Sequence, residues 1–149
     1  MIDQDARRAR LRELFTQLIT AYGCKDFDTF ATFVAEDCVF DWPYLPLEEF
    51  PHEVTGRDIF IDMSKAGMAN CDGYYHLVDT FHDQLDPDML IVEYHSDTVF
   101  PGNGYRYQNK YLGILRFDGD VAVYWREYVN PLPIIKAYGL EFKNEAVPQ

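Results

Sequence analysis

Four segments rich in β-branched and aromatic residues fill most of the second half of the chain, separated only by short turn motifs. They span residues 74–83, 89–100, 105–117 and 121–129. Asp118-Gly119, between the last two, is a typical two-residue hairpin motif. The Pro-Gly-Asn-Gly sequence at 101–104 is typical of a longer turn. Sequential strands joined by tight turns predict an antiparallel meander, so a sheet must dominate the fold.

The first part of the chain has helical periodicity instead. Between residues 11 and 22, apolar side chains recur at steps of three and four, which predicts a helix with one apolar stripe. Gly23 follows at the position expected for a left-handed C-terminal cap. Asp26 is expected to cap a second helix, and a third is predicted to begin after Thr55-Gly56, with Thr55 starting a capping box.

A further strand at 38–42 and a short helix after Pro131, ending at Gly139, complete the pattern. Helices gathered mostly ahead of a meander define an α+β fold. We predict a cone: a curved antiparallel or mixed sheet wrapped around the N-terminal helices, forming a single domain over residues 1–149. The open mouth of such a cone is a natural site for a small-molecule ligand.

The charge balance argues against two classes of partner. The chain of 149 residues has 13 Lys and Arg against 25 Asp and Glu, a formal net charge of −12. A surface this acidic repels phosphate backbones and anionic lipids, so neither nucleic acid nor a membrane is an expected partner. The aromatic content of 16% suits a large, aromatic-lined interior.

Cysteine and histidine usage predicts a cytoplasmic protein without cofactor or metal. The three cysteines are an odd number without a C-x-x-C pair, and the N-terminus lacks the apolar core of a signal peptide. No apolar run approaches the roughly 18 residues that span a bilayer. The four histidines are scattered without a ligand motif, and no glycine-rich phosphate loop is present.

Six short segments, taken in order, resemble the nuclear transport factor 2-like superfamily. Within it, they are most similar to SnoaL-like proteins of the phenazine-biosynthesis A/B group. The segments are AEDCVFDWPYLP (35–46), VTGRD (54–58), DPDMLIVEY (86–94), FPGNGYRYQNKY (100–111), WREYVNP (125–131) and KAYG (136–139). The resemblance covers nearly the whole chain and implies the cone fold with its pocket, but the superfamily supports many reactions, so the fold does not define the function.

The resemblance also disfavours some of those reactions. In a comparison with ketosteroid isomerase, Trp42, Leu18 and Gly113 stand where that enzyme has its catalytic groups, so steroid isomerisation is not expected. In a comparison with limonene-epoxide hydrolase, Phe40 and Trp42 replace the side chains that hold the attacking water. Epoxide hydrolase-like water activation therefore remains only a second alternative.

Glu127 is the first candidate for a catalytic residue. It matches the acid/base glutamate in the R-E-F segment of the phenazine A/B proteins. Strand alternation also places Glu127 on one face with Val121, Val123, Trp125 and Val129. A lone carboxylate in an apolar row is desolvated, which raises its pKa and suits a general acid or base. The alternative is a structural ion pair or a position at the solvated rim.

His95 and Asp97 are the other candidate catalytic residues, and two arguments about them disagree. The resemblance places both inside the cone, where they would orient or polarise a substrate. Polarity favours the opposite face of the segment 89–100, which includes Tyr94 and Phe100, as the interior. Both possibilities stay open at the level of sequence.

Eight further side chains are expected to form the pocket and bind the ligand. Some supply walls, and others stack on or hydrogen-bond a planar ligand. They are Phe40, Trp42, Met63, His76, Tyr107, Asn109, Tyr111 and Trp125.

These features together predict a cofactor-free acid/base enzyme that acts on a small apolar or aromatic metabolite. Isomerisation, cyclisation, condensation and dehydration by a lyase are all consistent with one proton-shuttling carboxylate. The alternative is a non-catalytic ligand-binding or scaffold dimer of the same fold. Tyr124, Arg126 and Tyr128 lie on the other face of the last strand and predict a homodimer contact, because Tyr and Arg are enriched in interfaces.

Overall fold

The computed structural model describes residues 3–139 of the protein. Two helices, two strands and a third helix come first, and four consecutive strands and a last helix follow. In chain order the elements are α1 (Gln4–Gly23), α2 (Phe27–Ala31), β1 (Val34–Asp41), β2 (Glu53–Thr55), α3 (Arg57–Gly67), β3 (Leu77–Asp83), β4 (Met89–Phe100), β5 (Tyr105–Asp118), β6 (Val121–Val129) and α4 (Pro131–Tyr138). No helix in this part of the chain is long and apolar enough to cross a membrane.

The six strands form one mixed sheet in the order β2-β1-β6-β5-β4-β3. Strand β1 runs parallel to β6, and every other neighbouring pair is antiparallel. The predicted meander is therefore β3 to β6, and the predicted α+β fold class is confirmed. Its tightest turn is the two-residue loop Gly119-Asp120, one residue later than predicted, with Gly119 at a φ of 57°.

Helix α1 packs its apolar stripe against the inner face of the sheet, as predicted. Leu11, Leu14 and Phe15 are completely buried. The Phe15 ring lies 5.3 Å from the ring of Tyr94 on β4 and 6.2 Å from that of Trp125 on β6, centroid to centroid. Each such side chain contributes roughly 1.5–3 kcal/mol through burial. This contact fixes α1 across the strands that carry the candidate site.

The predicted left-handed cap at Gly23 is wrong. Helix α1 continues through Gly23, and the residue with positive φ is Lys25, at 65°. Gly23 is required for another reason, since a Cβ atom there would lie 2.7 Å from the backbone nitrogen of His76. Lys25 uses its unusual conformation to donate from Nζ to the carbonyl oxygens of Met68 and Cys71, at 2.9 and 2.8 Å.

The other helix boundaries are mostly as predicted. Asp26 caps α2 by accepting a hydrogen bond from the Thr29 amide at 3.1 Å, and α4 ends at Gly139 with a φ of 63°. The capping box proposed for α3 is wrong, because its cap is Gly56 and no side chain caps it. Strand β2 was not predicted, and β1 begins four residues before its predicted start at residue 38.

A register shift interrupts the alternation at the start of β6. Phe117 on β5 pairs with Ala122 and Arg116 pairs with Tyr124, so Val123 lies at an irregularity. As a result, Ala122 is buried and Val123 is only half-buried, the reverse of regular alternation. The predicted inward row therefore holds only from Trp125 onwards, which is the part that includes Glu127.

Candidate active site

A cavity of about 140 Å³ lies between the inner face of the sheet and helices α1, α3 and α4. This volume is close to that of an engineered apolar cavity that binds benzene. Its walls are mostly aromatic and aliphatic. The aromatic residues among them are Tyr22, Trp42, Phe50, Phe60, Tyr74, His76, Phe100, Tyr107, Tyr111 and Tyr138.

The carboxyl group of Glu127 lines this cavity from β6. Its Oε2 accepts a short hydrogen bond from the hydroxyl of Tyr94, which is fully buried on β4. A second, much smaller cavity of about 10 Å³ also borders Glu127. Glu127 thus accepts a hydrogen bond from a neutral donor and also borders both cavities.

Tyr94 reaches Glu127 by crossing the intervening strand β5. Across the sheet Tyr94 pairs with Tyr111, whereas Glu127 pairs with Gly113. A Cβ atom at Gly113 would lie 3.2 Å from Cε1 of Tyr94, which is closer than an ordinary contact. Because glycine has no side chain, Gly113 leaves space for the ring of Tyr94.

Burial shifts the pKa of Glu127 into the neutral range. Desolvation by burial raises it to about 7, and the Tyr94 hydroxyl and the Trp42 side chain lower it against that trend. Burial likewise raises the pKa of Tyr94, and the adjacent carboxylate raises it further, so the tyrosine remains a neutral donor. At neutral pH, Glu127 is therefore present in both its protonated and its ionised form, as a proton-transferring group requires.

Gly113→Ala should weaken the contact between Tyr94 and Glu127. The added methyl group displaces the tyrosine ring, and the carboxylate loses a donor that stabilises its ionised form. We expect the titration midpoint of the Glu127 carboxyl, followed by carbon-13 NMR, to move up by roughly one pH unit. Tyr94→Phe should produce a similar change, and adding Gly113→Ala to it should then change little. An unchanged midpoint in Gly113→Ala would show that the ring does not need this space.

Four polar side chains form a second network across β4 and β5. The hydroxyl of Tyr111 lies 2.8 Å from Ser96 Oγ and 3.2 Å from the hydroxyl of Tyr107. Asn109 donates from Nδ2 to the Tyr107 hydroxyl at 2.8 Å and to the carbonyl oxygen of Asn130 at 3.0 Å. These bonds fix the two tyrosine hydroxyls that border the cavity, and burial raises the pKa of Tyr107 to about 12.

His76 is a second titratable side chain at the cavity, and its pKa, like that of Glu127, is strongly shifted. It is buried between the rings of Tyr22 and Tyr111, and its Nδ1 has no hydrogen-bond partner among the described residues. Burial lowers its pKa to about 3, and His95 acts weakly in the same direction. His76 is therefore neutral at physiological pH, with one donor and one acceptor nitrogen.

Comparison with known proteins assigns the family. Residues 15–125 match the SnoaL-like domain. The chain belongs to the SnoaL-like family. A PhzA/B-like protein of Pseudomonas aeruginosa, itself uncharacterized, is 37% identical over 60 residues, which are 40% of this chain and 42% of that protein.

Two solved structures resemble the fold of this SnoaL-like domain over almost its whole length. A candidate isomerase from Bacillus subtilis has a TM-score of 0.76 at 23% identity, covering 95% of this chain and 99% of the other. A phenazine biosynthesis-related protein from Pseudomonas aeruginosa has a TM-score of 0.71 at 20% identity, covering 99% and 98%. The resemblance predicted from the six sequence segments is thereby confirmed, while identities this low show the fold alone.

The structure does not bring His95 and Asp97 to Glu127. Both lie on the outer face of β4, because Tyr94, Ser96 and Thr98 occupy the inner face. His95 Nδ1 lies 2.8 Å from a carboxylate oxygen of Asp79, and Asp97 accepts a bond of 2.9 Å from Arg106 Nε. His95 and Asp97 therefore lie outside the cone, as their polarity predicted, and not inside it, as the resemblance implied.

Most of the predicted pocket residues of the SnoaL-like domain do surround the cavity. Three of the eight do not line its main part. Phe40 and Trp125 are buried behind it and border only the small second cavity, and Asn109 supports Tyr107 from behind. The five that line it are Trp42, Met63, His76, Tyr107 and Tyr111.

The roles of Tyr94 and Gly113 beside Glu127 were not predicted from the sequence. A tyrosine on a buried strand face is usually part of the core, and nothing local shows that its hydroxyl reaches a carboxylate two strands away. A lone glycine within a strand is a signal for close approach of another group, and it was available at Gly113. Phe60 on α3 also lines the cavity, and its ring stacks against that of Phe40 with the centroids 3.9 Å apart.

The outer face of β6 has its own polar cluster. Asp41 is buried there, with hydrogen bonds from Arg126 Nε at 2.9 Å and from the Tyr124 hydroxyl at 2.8 Å. Two of the residues expected at a homodimer contact thus bind a carboxylate within the chain, and dimerisation stays a prediction. Within residues 3–139, no three His, Cys, Asp or Glu side chains are grouped so as to hold a metal ion.

Proposed function

We propose that this SnoaL-like domain is an acid/base enzyme acting on a small, ring-containing metabolite. One observation carries the proposal: Glu127 lies at an aromatic cavity, bonded to a buried tyrosine, with its pKa raised to about 7. A carboxyl group that titrates near the working pH is an efficient general acid or base.

The proposal gives each neighbouring group a role. The Tyr94 hydroxyl donates a hydrogen bond to Oε2 of Glu127 and so fixes the orientation of the carboxyl group. In this proposal the other oxygen, Oε1, exchanges the proton with the substrate. The neutral His76 and the hydroxyls of Tyr107 and Tyr111 are donors that can polarise a substrate oxygen. One proton shuttle with polarising donors suits isomerisation, cyclisation, condensation or dehydration.

A non-catalytic ligand-binding protein is the competing proposal, and the cavity supports it equally. A carboxyl group at the end of an apolar pocket also serves as a hydrogen-bond acceptor for a ligand. The epoxide hydrolase-like alternative has less support. Phe40 and Trp42 replace the side chains that hold the attacking water in limonene-epoxide hydrolase, and His95 and Asp97, which could assist Glu127, lie on the outer face of the sheet.

The pH dependence of turnover tests the proposal. Cyclic ketones, epoxides and aminoketones that raise the melting temperature would be assayed for conversion, and kcat/KM measured between about pH 5 and 9. If Glu127 acts as a base, the rate rises with pH through about 7, because only the ionised form accepts a proton. If it acts as an acid, the rate falls through the same range. Ligands that bind without any conversion would favour the binding protein, and a converted substrate with a flat profile would exclude Glu127.

A further inference from the structure

Among the described residues, the cavity lining carries negative charge but no positive charge. Glu127 is the one acidic residue that lines it, and the described lining residues include no Lys or Arg. His76 adds no positive charge, since burial keeps its ring neutral. An anionic ligand would thus find no counter-charge there and would meet the Glu127 carboxylate, whose repulsion is strong in a partly buried site.

A ligand cation would find two favourable features in the same place. Among residues 3–139 no cationic side chain pairs with the Glu127 carboxylate, which accepts a hydrogen bond from Tyr94, a neutral phenol. The surrounding walls are aromatic rings, including Tyr22, Trp42 and Phe60, whose faces attract cations electrostatically. Charge-assisted hydrogen bonds are roughly twice as strong as neutral ones, so an ammonium group would gain most beside this carboxylate.

The size of the cavity limits the rest of the ligand. About 140 Å³ accommodates one six-membered ring with a short substituent. The lining also includes aliphatic side chains, among them Met63, Leu47 and Ile134. A single ring that carries one cationic nitrogen matches both the volume and the lining.

We infer that the site selects a cyclic amine or aryl-alkyl amine, bound with its protonated nitrogen against Glu127, and rejects carboxylate ligands of the same size. This inference names the ligand class of the proposed active site and rests on that proposal for its biological meaning. Glu127 is then the residue that determines specificity for charge, in addition to its role in proton transfer.

Three probes of nearly equal size test the inference: benzylamine, benzyl alcohol and benzoate. Their dissociation constants would be measured by calorimetry at about pH 8, where Glu127 is mainly ionised and benzylamine is protonated. We expect benzylamine to bind about 10- to 100-fold more tightly than benzyl alcohol, the range that a charge-assisted hydrogen bond provides. Benzoate should bind more weakly than the alcohol.

Two glutamine variants complete the test. In Glu127→Gln the preference for benzylamine should disappear, because benzylamine loses its ion pair with the carboxylate, whereas benzyl alcohol loses only part of one hydrogen bond. Glu93→Gln is the matched control, because Glu93 lies on the outer face of β4 beside His82 and should leave the order unchanged. Benzoate binding as tightly as benzylamine, or a benzylamine preference that survives in Glu127→Gln, would overturn the inference.

The outcomes separate this inference from the proposed function. A charge preference that depends on Glu127, found in a protein that converts no amine, supports the ligand class and contradicts the enzyme. Turnover that depends on Glu127 without any charge preference supports the enzyme and contradicts the ligand class. Circular dichroism of each variant at the same pH shows that the fold is retained.

Discussion

Glu127→Gln should lower kcat by about 10²- to 10⁴-fold on any substrate that the protein converts. The amide has nearly the size of the carboxyl and keeps one acceptor oxygen, so the Tyr94 hydroxyl retains a partner. It neither accepts nor releases a proton at neutral pH. The chemical step therefore loses its acid/base while the shape of the cavity is kept.

Affinity separates this loss from damage to the pocket. For a ligand without a hydrogen-bond donor, such as toluene, the dissociation constant should stay nearly the same, because such a ligand makes no hydrogen bond to the carboxylate that the amide would weaken. Single-turnover rates with saturating enzyme measure the chemical step directly. The variant should fold at least as well as the parent protein near neutral pH, since it removes the cost of ionising a buried carboxyl. Full activity in Glu127→Gln would contradict the mechanism.

The sheet was predictable because its strands alternate and its turns carry distinct motifs. The predicted limits 89–100 and 121–129 coincide with β4 and β6. Strand β2 was not predictable in this way, since three residues are too few to show a period of two. Its existence depends on pairing with β1, where Val39 lies opposite Thr55, and such a contact is not visible in local sequence.

Strand β4 turns its less polar face, which includes Tyr94, towards the interior. Alignment with distant relatives placed His95 inside, whereas polarity placed Tyr94 inside. Strand β4 pairs with β5 without a break from Met89 to Phe100, so no bulge re-aims a side chain between them. In an uninterrupted strand, burial of the less polar face decides the orientation.

Glu127 itself was predictable because a lone carboxylate in an apolar row is conspicuous. Its partner Tyr94 was not, because their contact depends on the register of three strands and on the gap at Gly113. The sequence thus indicates the candidate residue, while the tertiary structure determines which groups shift its pKa. The same holds for His76, whose low pKa follows from burial against α1.

Gly73→Ala should destabilise the protein by about 3 kcal/mol or more, the range of a severe backbone conflict. Gly73 has a φ of 146°, which an alanine rarely adopts, and its Cβ atom would lie 2.3 Å from the carbonyl oxygen of Gly23. That oxygen accepts the amide of Tyr75 at 3.0 Å. Because both sides of the clash are backbone, the segment that carries Tyr74 and His76 has to move away from α1.

Gly104→Ala is a control for a positive φ without a clash. Gly104 has a φ of 67° but no atom within 4 Å of its Cβ position, so only the strain of a positive φ remains, about 1–2 kcal/mol. Urea unfolding measures both differences. In Gly73→Ala the displaced His76 ring becomes solvated, and NMR should show its pKa rising from about 3 towards the ordinary value. If both variants lose the same free energy of unfolding and the pKa of His76 does not change, the close contact between Gly73 and α1 is not what keeps His76 at the cavity.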